Sequence, residues 1–224
     1  MSVKEHRLVL PLKEEDVRQL RMGDILYVSG LVHTLRDMGH RRAVELCHQN
    51  RISEIPFQTL NEGILWHCGP IARYNEEEKK WVVKSAGSTT SSRFSPLGAK
   101  LIEYFRIRLI IGKGTMTESA HIAMKNFGAC FLNSTGGCAV MYAEQIEQVE
   151  NVFWEDLGQP EACWVLKVNN LGPLIVGIDS FGSSLFDKIG GVMRSNLQQT
   201  YSALGLKKEY AYLPKRVPSG VIEG

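Results

Sequence analysis

Apolar and polar positions along this chain follow two repeating patterns, and the change from one to the other predicts the order of its elements. Short apolar runs bounded by turn residues predict strands, whereas apolar residues spaced three and four apart predict helices. Strands are predicted at residues 7–10, 24–32, 63–68, 80–84, 109–111, 129–132, 162–168 and 174–179. Helices are predicted at residues 13–20, 36–49, 95–106, 117–127 and 184–204. Interleaved strands and helices of this kind indicate an α/β layered domain in which helices pack beside a mixed sheet.

Two local features refine this prediction. The run of mixed charge at residues 75–80 is typical of a solvated hairpin tip, and it is predicted to join the strands at 63–68 and 80–84. Thr34 or a neighbouring residue is predicted to cap the helix that begins at Arg36, because a hydroxyl oxygen there accepts a bond from a free backbone N–H.

Size and composition are those of an ordinary globular domain. The chain has 224 residues, of which 44% are hydrophobic and 22% are charged, so it can bury a substantial core. No internal boundary is evident before Leu213. Residues 1–213 are therefore predicted to form one domain and residues 214–224, which include two prolines, a flexible tail.

Charge and hydropathy exclude several classes of partner. The net charge is +2 and the basic residues are interspersed with acids, which argues against a nucleic-acid-binding surface. No apolar stretch is long enough to span a membrane, and the first residues lack the apolar core of a signal peptide. We therefore expect a cytoplasmic protein with no nucleic-acid and no membrane partner.

Three polar segments are the candidate site. They lie at residues 34–37, 85–93 and 111–114, and each follows an apolar, strand-like run. Ligands of α/β proteins bind at strand ends, and cations that converge there suit an anionic substrate. Each segment supplies one cation: Arg36, Arg93 and Lys113. Because arginine binds carboxylate through a bidentate fork, this set favours a small molecule with more than one carboxylate.

The sequence lacks the motifs of nucleotide binding, of serine hydrolases and of paired histidine ligands. The sequence around Lys113 resembles a phosphate loop, but Ile107 stands where that loop needs a glycine. Neither a dinucleotide fingerprint nor a serine nucleophile elbow is found. The histidines are not spaced as ligand pairs, although His40 lies three residues after Asp37 on the predicted helix, where the two side chains can meet.

The cysteines predict no metal site within this chain. Their number is odd and no two are separated by the two-residue gap typical of zinc or cluster ligands. Buried free thiols are the simpler interpretation. The five are Cys47, Cys68, Cys130, Cys138 and Cys163.

The polar segments belong to a longer ordered pattern. The sequence RMGDILYVSG at 21–30, then TLRD at 34–37 with His40, resembles the C-terminal domain of class I fumarases. The β subunits of two-subunit iron–sulfur fumarate hydratases and of tartrate dehydratases belong to the same group. The resemblance continues in order through residues 56–57, 68–70, 85–93, 111–114, 136–137, 154–158, 160–162 and 176–179.

This resemblance implies a fold, a reaction and a partner. The fold would be a swivelling β/β/α domain that supplies half of an active site. The reaction would be the reversible hydration of fumarate to malate, catalysed by a hydro-lyase that is active only with an α subunit carrying a 4Fe-4S cluster. Two alternatives remain open: the β subunit of a tartrate dehydratase or related dicarboxylate hydro-lyase, and a non-catalytic dicarboxylate-binding module. Without the α subunit, the apolar surface that faces it would support a homodimer.

The resemblance also implies roles for individual residues. Three cations would bind the substrate carboxylates and stabilise the intermediate, and a threonine would act as the base at carbon. Glycine and serine residues would shape the loop, and Asp37 would orient Arg36 or His40. The three cations are Arg36, Arg93 and Lys113, and the threonine is Thr89. Ser85 and Gly87 are the residues that would shape the loop, and Asp37 and His40 would support the site. Ser88 departs from the family pattern, which commonly has proline at that place.

Overall fold

The computed structural model describes residues 3–206, without the side chain of Gln198. The strands in this range are β1 (Glu5–Val9), β2 (Ile25–Thr34), β3 (Ile64–Trp66), β4 (Ile71–Asn75), β5 (Lys80–Ser85), β6 (Leu109–Gly112), β7 (Cys130–Asn133), β8 (Ile146–Phe153) and β9 (Cys163–Ile178). The α-helices are α1 (Glu14–Arg18), α2 (Asp37–His48), α3 (Ser95–Phe105), α4 (Glu118–Phe127), α5 (Ala139–Glu144) and α6 (Leu185–Ala203).

Seven strands form one mixed sheet that closes on itself. β2, β3, β6 and β7 are parallel neighbours in that order, and β9 runs antiparallel to β7. β9 also pairs with β2, which joins the five strands into a ring, and β1 and β8 extend it along β2 and β9. The predicted α/β class, with a mixed sheet and flanking helices, is confirmed. The closure of the sheet was not predicted.

Alternation along the ring strands separates two hydrophobic cores. Trp66 and Ile111 contribute to a core inside the ring, whereas Leu65 and Ile110, which are their neighbours in sequence, contribute to a second core. The second core lies between the ring and helices α2, α3 and α4. Since successive strand residues point to opposite faces, a strand buried on both faces must be apolar throughout, as β3 and β6 are.

One long strand, β9, replaces the two strands predicted at 162–168 and 174–179. The intervening residues have the composition of a turn, but their backbone groups form hydrogen bonds with side chains of β2 and of the residue that ends α5. The side-chain amide of Gln145 donates to the carbonyl of Gly172 at 2.8 Å and accepts from its N–H at 3.0 Å. The Ser29 hydroxyl accepts a bond from the Asn170 N–H at 2.9 Å. The strand therefore continues through an irregular segment.

The predicted hairpin connection was wrong. β5 pairs antiparallel with β4, so the charged turn joins these two strands and not the strand that precedes β4. The physical reason is that β3 already has parallel neighbours on both sides, β2 and β6, and offers no free edge. β4, β8 and α5 were not predicted. β8 lies at the end of the sheet order and is largely exposed, so it lacks the apolar run that marks a buried strand.

The chain divides into two compact units. One unit ends at Ser183, and the second begins at Ser184 and contains α6. The predicted tail at 214–224 lies outside the described residues. Within residues 3–206, no helix combines the length and the apolar character needed to cross a membrane.

Candidate active site

The first and third polar segments follow β2 and β6 of the seven-stranded sheet, whereas the second follows β5, which pairs with β4 in a separate two-stranded sheet. β2 and β6 run parallel and end at Thr34 and Gly112, so Arg36 and Lys113 leave the sheet at one edge, formed by the carboxyl ends of β2, β3, β6 and β7. Arg36 is the residue from which α2 begins. This carboxyl edge is where α/β folds place their ligands.

The segment after β5 lies across this edge. The Thr89 N–H donates to the carbonyl oxygen of His67, directly after β3, at 2.8 Å. The Ser91 N–H donates to the carbonyl oxygen of Lys113, directly after β6, at 3.1 Å. Backbone bonds therefore bring the second polar segment to the end of β3 and to the third polar segment, although these are far apart in sequence.

Ser88 fastens the same segment at a further point. Its hydroxyl accepts a hydrogen bond from the indole N–H of Trp66 at 2.7 Å and lies 2.5 Å from the hydroxyl oxygen of Ser134. Trp66 ends β3, and Ser134 directly follows β7. Ser88, which stands where the family commonly has proline, thus forms two side-chain hydrogen bonds with residues at the carboxyl edge.

Arg93, Thr89 and Asp37 form one hydrogen-bonded group. The Nη2 atom of Arg93 donates to Oδ2 of Asp37 at 2.9 Å and to Oγ1 of Thr89 at 3.0 Å. The side chains of Arg93 and Asp37 are 47% and 38% exposed, so a ligand can reach this group from solvent. Asp37 thus pairs with Arg93, and its expected role in orienting Arg36 or His40 stays a prediction.

Arg36 lies beside the carboxylate of Glu161, which is not among the predicted site residues. Glu161 places Oε1 3.6 Å from Nε of Arg36, and its Oε2 accepts a bond from the Met38 N–H at 2.8 Å. Glu161 therefore occupies the N-terminus of α2. Of the residues predicted to cap this helix, Thr34 does not do so, and its neighbour Arg36 is at the N-cap position without a side-chain cap bond. The Thr34 hydroxyl instead accepts from the Trp164 N–H at 3.1 Å. The signal for Glu161 in the sequence was its motif at 160–162.

Lys113 extends from a turn that requires glycine. A Cβ on Gly112 would lie 2.0 Å from Oγ of Ser91, and Gly114 has φ +81°, a conformation that favours glycine. The Lys113 side chain is exposed. Among residues 3–206, no carboxylate forms an ion pair with it. Its charge is available to a ligand.

Ser85 and Gly87 lie at the start of the second polar segment. Ser85 ends β5 and pairs with Ile71. A Cβ on Gly87 would lie 3.1 Å from Cβ of Ala139, so this glycine permits a close approach to α5. In the described structure, neither residue has a hydrogen bond to Arg36, Arg93 or Lys113.

Two buried histidines form hydrogen bonds with the first and second polar segments. His40 donates from Nδ1 to the carbonyl oxygen of Arg36 at 2.8 Å, and Nδ1 of His67 bonds to the hydroxyl of Ser91 at 2.8 Å. The two ring centroids are 5.0 Å apart, and both rings pack against Phe94. Burial lowers the pKa of His40 to about 4 and that of His67 well below its ordinary value. Both rings are therefore neutral near pH 7.

The cysteines do not fit a 4Fe-4S cluster. All five are free, and four of them are buried. Burial raises the pKa of Cys130 to about 12 and raises the pKa of Cys68 and Cys163, whereas a metal ligand must be a thiolate. Within residues 3–206, no three His, Cys, Asp or Glu side chains are grouped to hold a metal ion.

Comparisons with known proteins agree on one family. The family described as "Fumarase C-terminus" matches residues 2–189. The chain is 37% identical over 189 residues to "Putative L(+)-tartrate dehydratase subunit beta" of Methanocaldococcus jannaschii, covering 84% of this chain and 94% of the relative. It is 40% identical over 178 residues to "L(+)-tartrate dehydratase subunit beta" of Escherichia coli, covering 80% and 85%.

A third relative is a longer protein. The chain is 37% identical over 182 residues to "Putative fumarate hydratase class I" of Geobacillus stearothermophilus. The match covers 81% of this chain and 34% of that protein, so this chain corresponds to about a third of its length.

Proposed function

The chain belongs to the Fumarase C-terminus family, and we propose that it is the β subunit of a two-subunit class I fumarate hydratase. In this proposal it supplies half of an active site for the reversible hydration of fumarate to malate. One observation carries the proposal: Arg93 donates a hydrogen bond to Thr89 at the carboxyl edge of the sheet, where Arg36 and Lys113 also leave their strands.

The reaction needs fixed positive charge next to a carboxylate. In the dehydration direction, a base removes a proton from the carbon beside one carboxylate, and the electron pair moves into that carboxylate. The resulting dianionic aci-carboxylate then expels the hydroxyl group from the neighbouring carbon, which forms the double bond. Cations placed at the first carboxylate lower the barrier to the dianion. Arg36, Arg93 and Lys113 supply this charge.

Thr89 is the base in this proposal. A threonine hydroxyl is a weak base in water, and it needs an electropositive environment to act as one. The hydrogen bond from the Arg93 guanidinium to Oγ1 of Thr89 favours the deprotonated hydroxyl and thus supports this role. The exposure of the group leaves space for a substrate.

The partner subunit would complete the site. The relatives named as β subunits support an α subunit for this chain. Because the cysteines of this chain do not fit a 4Fe-4S cluster, we place that cluster on the α subunit. The proposal includes a swivelling β/β/α domain, residues 1–213, that presents Arg93 and Lys113 to the partner in the cytoplasm.

Tartrate dehydration is the second candidate. It is favoured by the two relatives named as tartrate dehydratase subunits, which match this chain at 37% and 40% identity. The three cations recognise carboxylates and serve both substrates equally. Other groups must therefore distinguish malate from tartrate by the substituents on their central carbons.

Reconstitution with an α subunit tests the proposal. The chain is co-expressed with the α subunit of the same organism, purified without oxygen, and assayed with malate, fumarate, L-tartrate and mesaconate. Interconversion of malate and fumarate by the complex, and not by this chain alone, is the expected result. Activity on tartrate alone would select the second candidate. Dicarboxylate binding without turnover of any substrate would favour the non-catalytic binding module.

A further inference from the structure

We propose that Glu161 is a positioning residue for Arg36, and that its carboxylate sets the direction in which the guanidinium meets a substrate carboxylate. This inference rests on the proposed function, because it assumes that Arg36 binds substrate. No motif assigned this role to Glu161, and the contacts that support it join segments that are far apart in the chain.

One carboxylate contacts two groups at the start of α2. Oε2 of Glu161 accepts a bond from the Met38 N–H at 2.8 Å, and Oε1 lies 3.6 Å from Nε of Arg36. The Glu161 side chain is 17% exposed, so its charge is largely shielded from water. A negative charge at a helix N-terminus is stabilised by the free N–H groups there. The carboxylate is thus fixed at one end by the helix and faces Arg36 at the other.

The Nε atom of Arg36 needs such a neighbour. It is buried and has no hydrogen-bond acceptor among residues 3–206, although 26% of the Arg36 side chain is exposed. A buried guanidinium N–H without a compensating charge is costly. Glu161 supplies that charge on the Nε side, which leaves the two terminal nitrogens to form a fork with a ligand carboxylate.

Tight backbone packing fixes the segment that carries Glu161. A Cβ on Gly69 would lie 2.6 Å from the carbonyl oxygen of Pro160 and 2.8 Å from Cδ of Arg36. A Cβ on Gly39 would lie 3.2 Å from the carbonyl oxygen of Glu161. Both glycines permit contacts that a larger residue would prevent. The Arg36 stem is therefore confined between Gly69 and Glu161, as positioning requires.

The first experiment removes the charge and keeps the shape. Glu161→Gln retains an oxygen that can accept from the Met38 N–H but loses the charge beside Arg36. In the complex with the α subunit, we expect about a tenfold rise in the KM for malate and in the Kd of succinate, an unreactive dicarboxylate, with a smaller change in kcat. Glu161→Asp keeps the charge and is expected to restore part of the affinity.

The control removes a different link between the same two parts of the molecule. Asp156 accepts two bonds from the Arg42 guanidinium, at 2.9 and 2.5 Å, and this exposed pair also joins α2 to the segment before β9. Asp156→Asn is expected to leave the KM and the succinate Kd unchanged. If Asp156→Asn raised the KM and the succinate Kd as much as Glu161→Gln does, any contact between α2 and the segment before β9 would have the same effect. That result would overturn the inference.

A double-mutant cycle separates this inference from the proposed function. If Glu161 acts through Arg36, then Glu161→Gln adds little to the loss of succinate affinity in an Arg36→Lys background. If Glu161→Gln weakens succinate binding in the Arg36→Lys background by the same factor as in the wild type, the inference is overturned. A wild-type complex that binds succinate but turns over no substrate would refute the proposed function, whereas the succinate cycle would still decide the role of Glu161.

Discussion

Arg93 donates a hydrogen bond from Nη2 to the hydroxyl oxygen of Thr89, 3.0 Å away. The same nitrogen donates to Oδ2 of Asp37 at 2.9 Å. The guanidinium of Arg93 is thus hydrogen-bonded to the hydroxyl of Thr89, which is the proposed base. Asp37, in the first turn of α2, holds the guanidinium in place. This arrangement links two of the three polar segments through a single guanidinium group.

Arg93→Lys tests the geometry of this group while keeping its charge. An ammonium group lacks the planar fork of arginine and does not hold Asp37, Thr89 and a carboxylate at once. We expect kcat in the reconstituted complex to fall by about 10²-fold, as when one preorganised donor is removed. Steady-state assays with malate measure this effect.

The matched control for this substitution is Arg51→Lys. Arg51 also pairs with a carboxylate, Glu54, but on an exposed turn outside the polar segments. It is expected to leave kcat unchanged. Equal activity of the two variants would show that the fork of Arg93 is not required.

Gly112→Ala tests the packing beneath the third polar segment. The new Cβ would lie 2.0 Å from Oγ of Ser91 and 2.7 Å from the ring of Phe131, so one of these must move. We expect the free energy of unfolding to fall by about 1–3 kcal/mol, the usual cost of overpacking. Urea denaturation measures this change.

Gly136→Ala is the control for the steric argument. A Cβ there would lie 3.7 Å from Cδ of Lys113, which is an ordinary contact. Its stability is expected to stay close to that of the wild type. A Gly112 variant as stable as the Gly136 variant would mean that the contact with Ser91 is not tightly packed.

The buried histidines predict a loss of stability in mild acid. His40 has its pKa lowered by burial from an ordinary value near 6.5 to about 4, and burial likewise lowers the pKa of His33 to about 4. Below pH 6.5 the unfolded chain takes up protons that the folded chain does not bind until about pH 4. The free energy of unfolding therefore decreases as the pH falls through this window, by up to about 1.4 kcal/mol per pH unit for each such histidine.

Urea denaturation between about pH 7 and about pH 4.5 measures this slope. His40→Gln is expected to reduce it by the contribution of one histidine, whatever its effect on stability at neutral pH. A His40 variant with the wild-type slope would contradict the assignment of a neutral, buried ring.

Local patterns in the sequence were enough to place the elements that carry the site. The apolar run before Thr34 and the helical spacing after Arg36 predicted a strand and a helix that the structure has as β2 (Ile25–Thr34) and α2 (Asp37–His48). The family resemblance is likewise confirmed, because the family match extends over residues 2–189. These signals depend on neighbouring residues, and a single sequence displays them directly.

Long-range pairing could not be predicted in the same way. Closure of the sheet depends on β9 pairing with β2, and local patterns in a single sequence do not reveal which distant strands become neighbours. The contact between Glu161 and α2 was missed for the same reason. His67 looked like the other histidines, since its bond to Ser91 exists only after the second polar segment has crossed the carboxyl edge.

Catalysis by Thr89 and the cations around it, and not merely the binding of an anion, is what the proposed function requires. Its most direct test compares Thr89→Ala with Thr89→Ser in the complex with the α subunit, measuring both kcat for malate dehydration and the Kd of succinate. We expect the alanine variant to lose turnover by at least about 10²-fold while binding succinate within a few-fold of the wild type, and the serine variant to keep part of the turnover. A Thr89→Ala variant that dehydrates malate at the wild-type rate, or that loses succinate binding as strongly as turnover, would contradict the account.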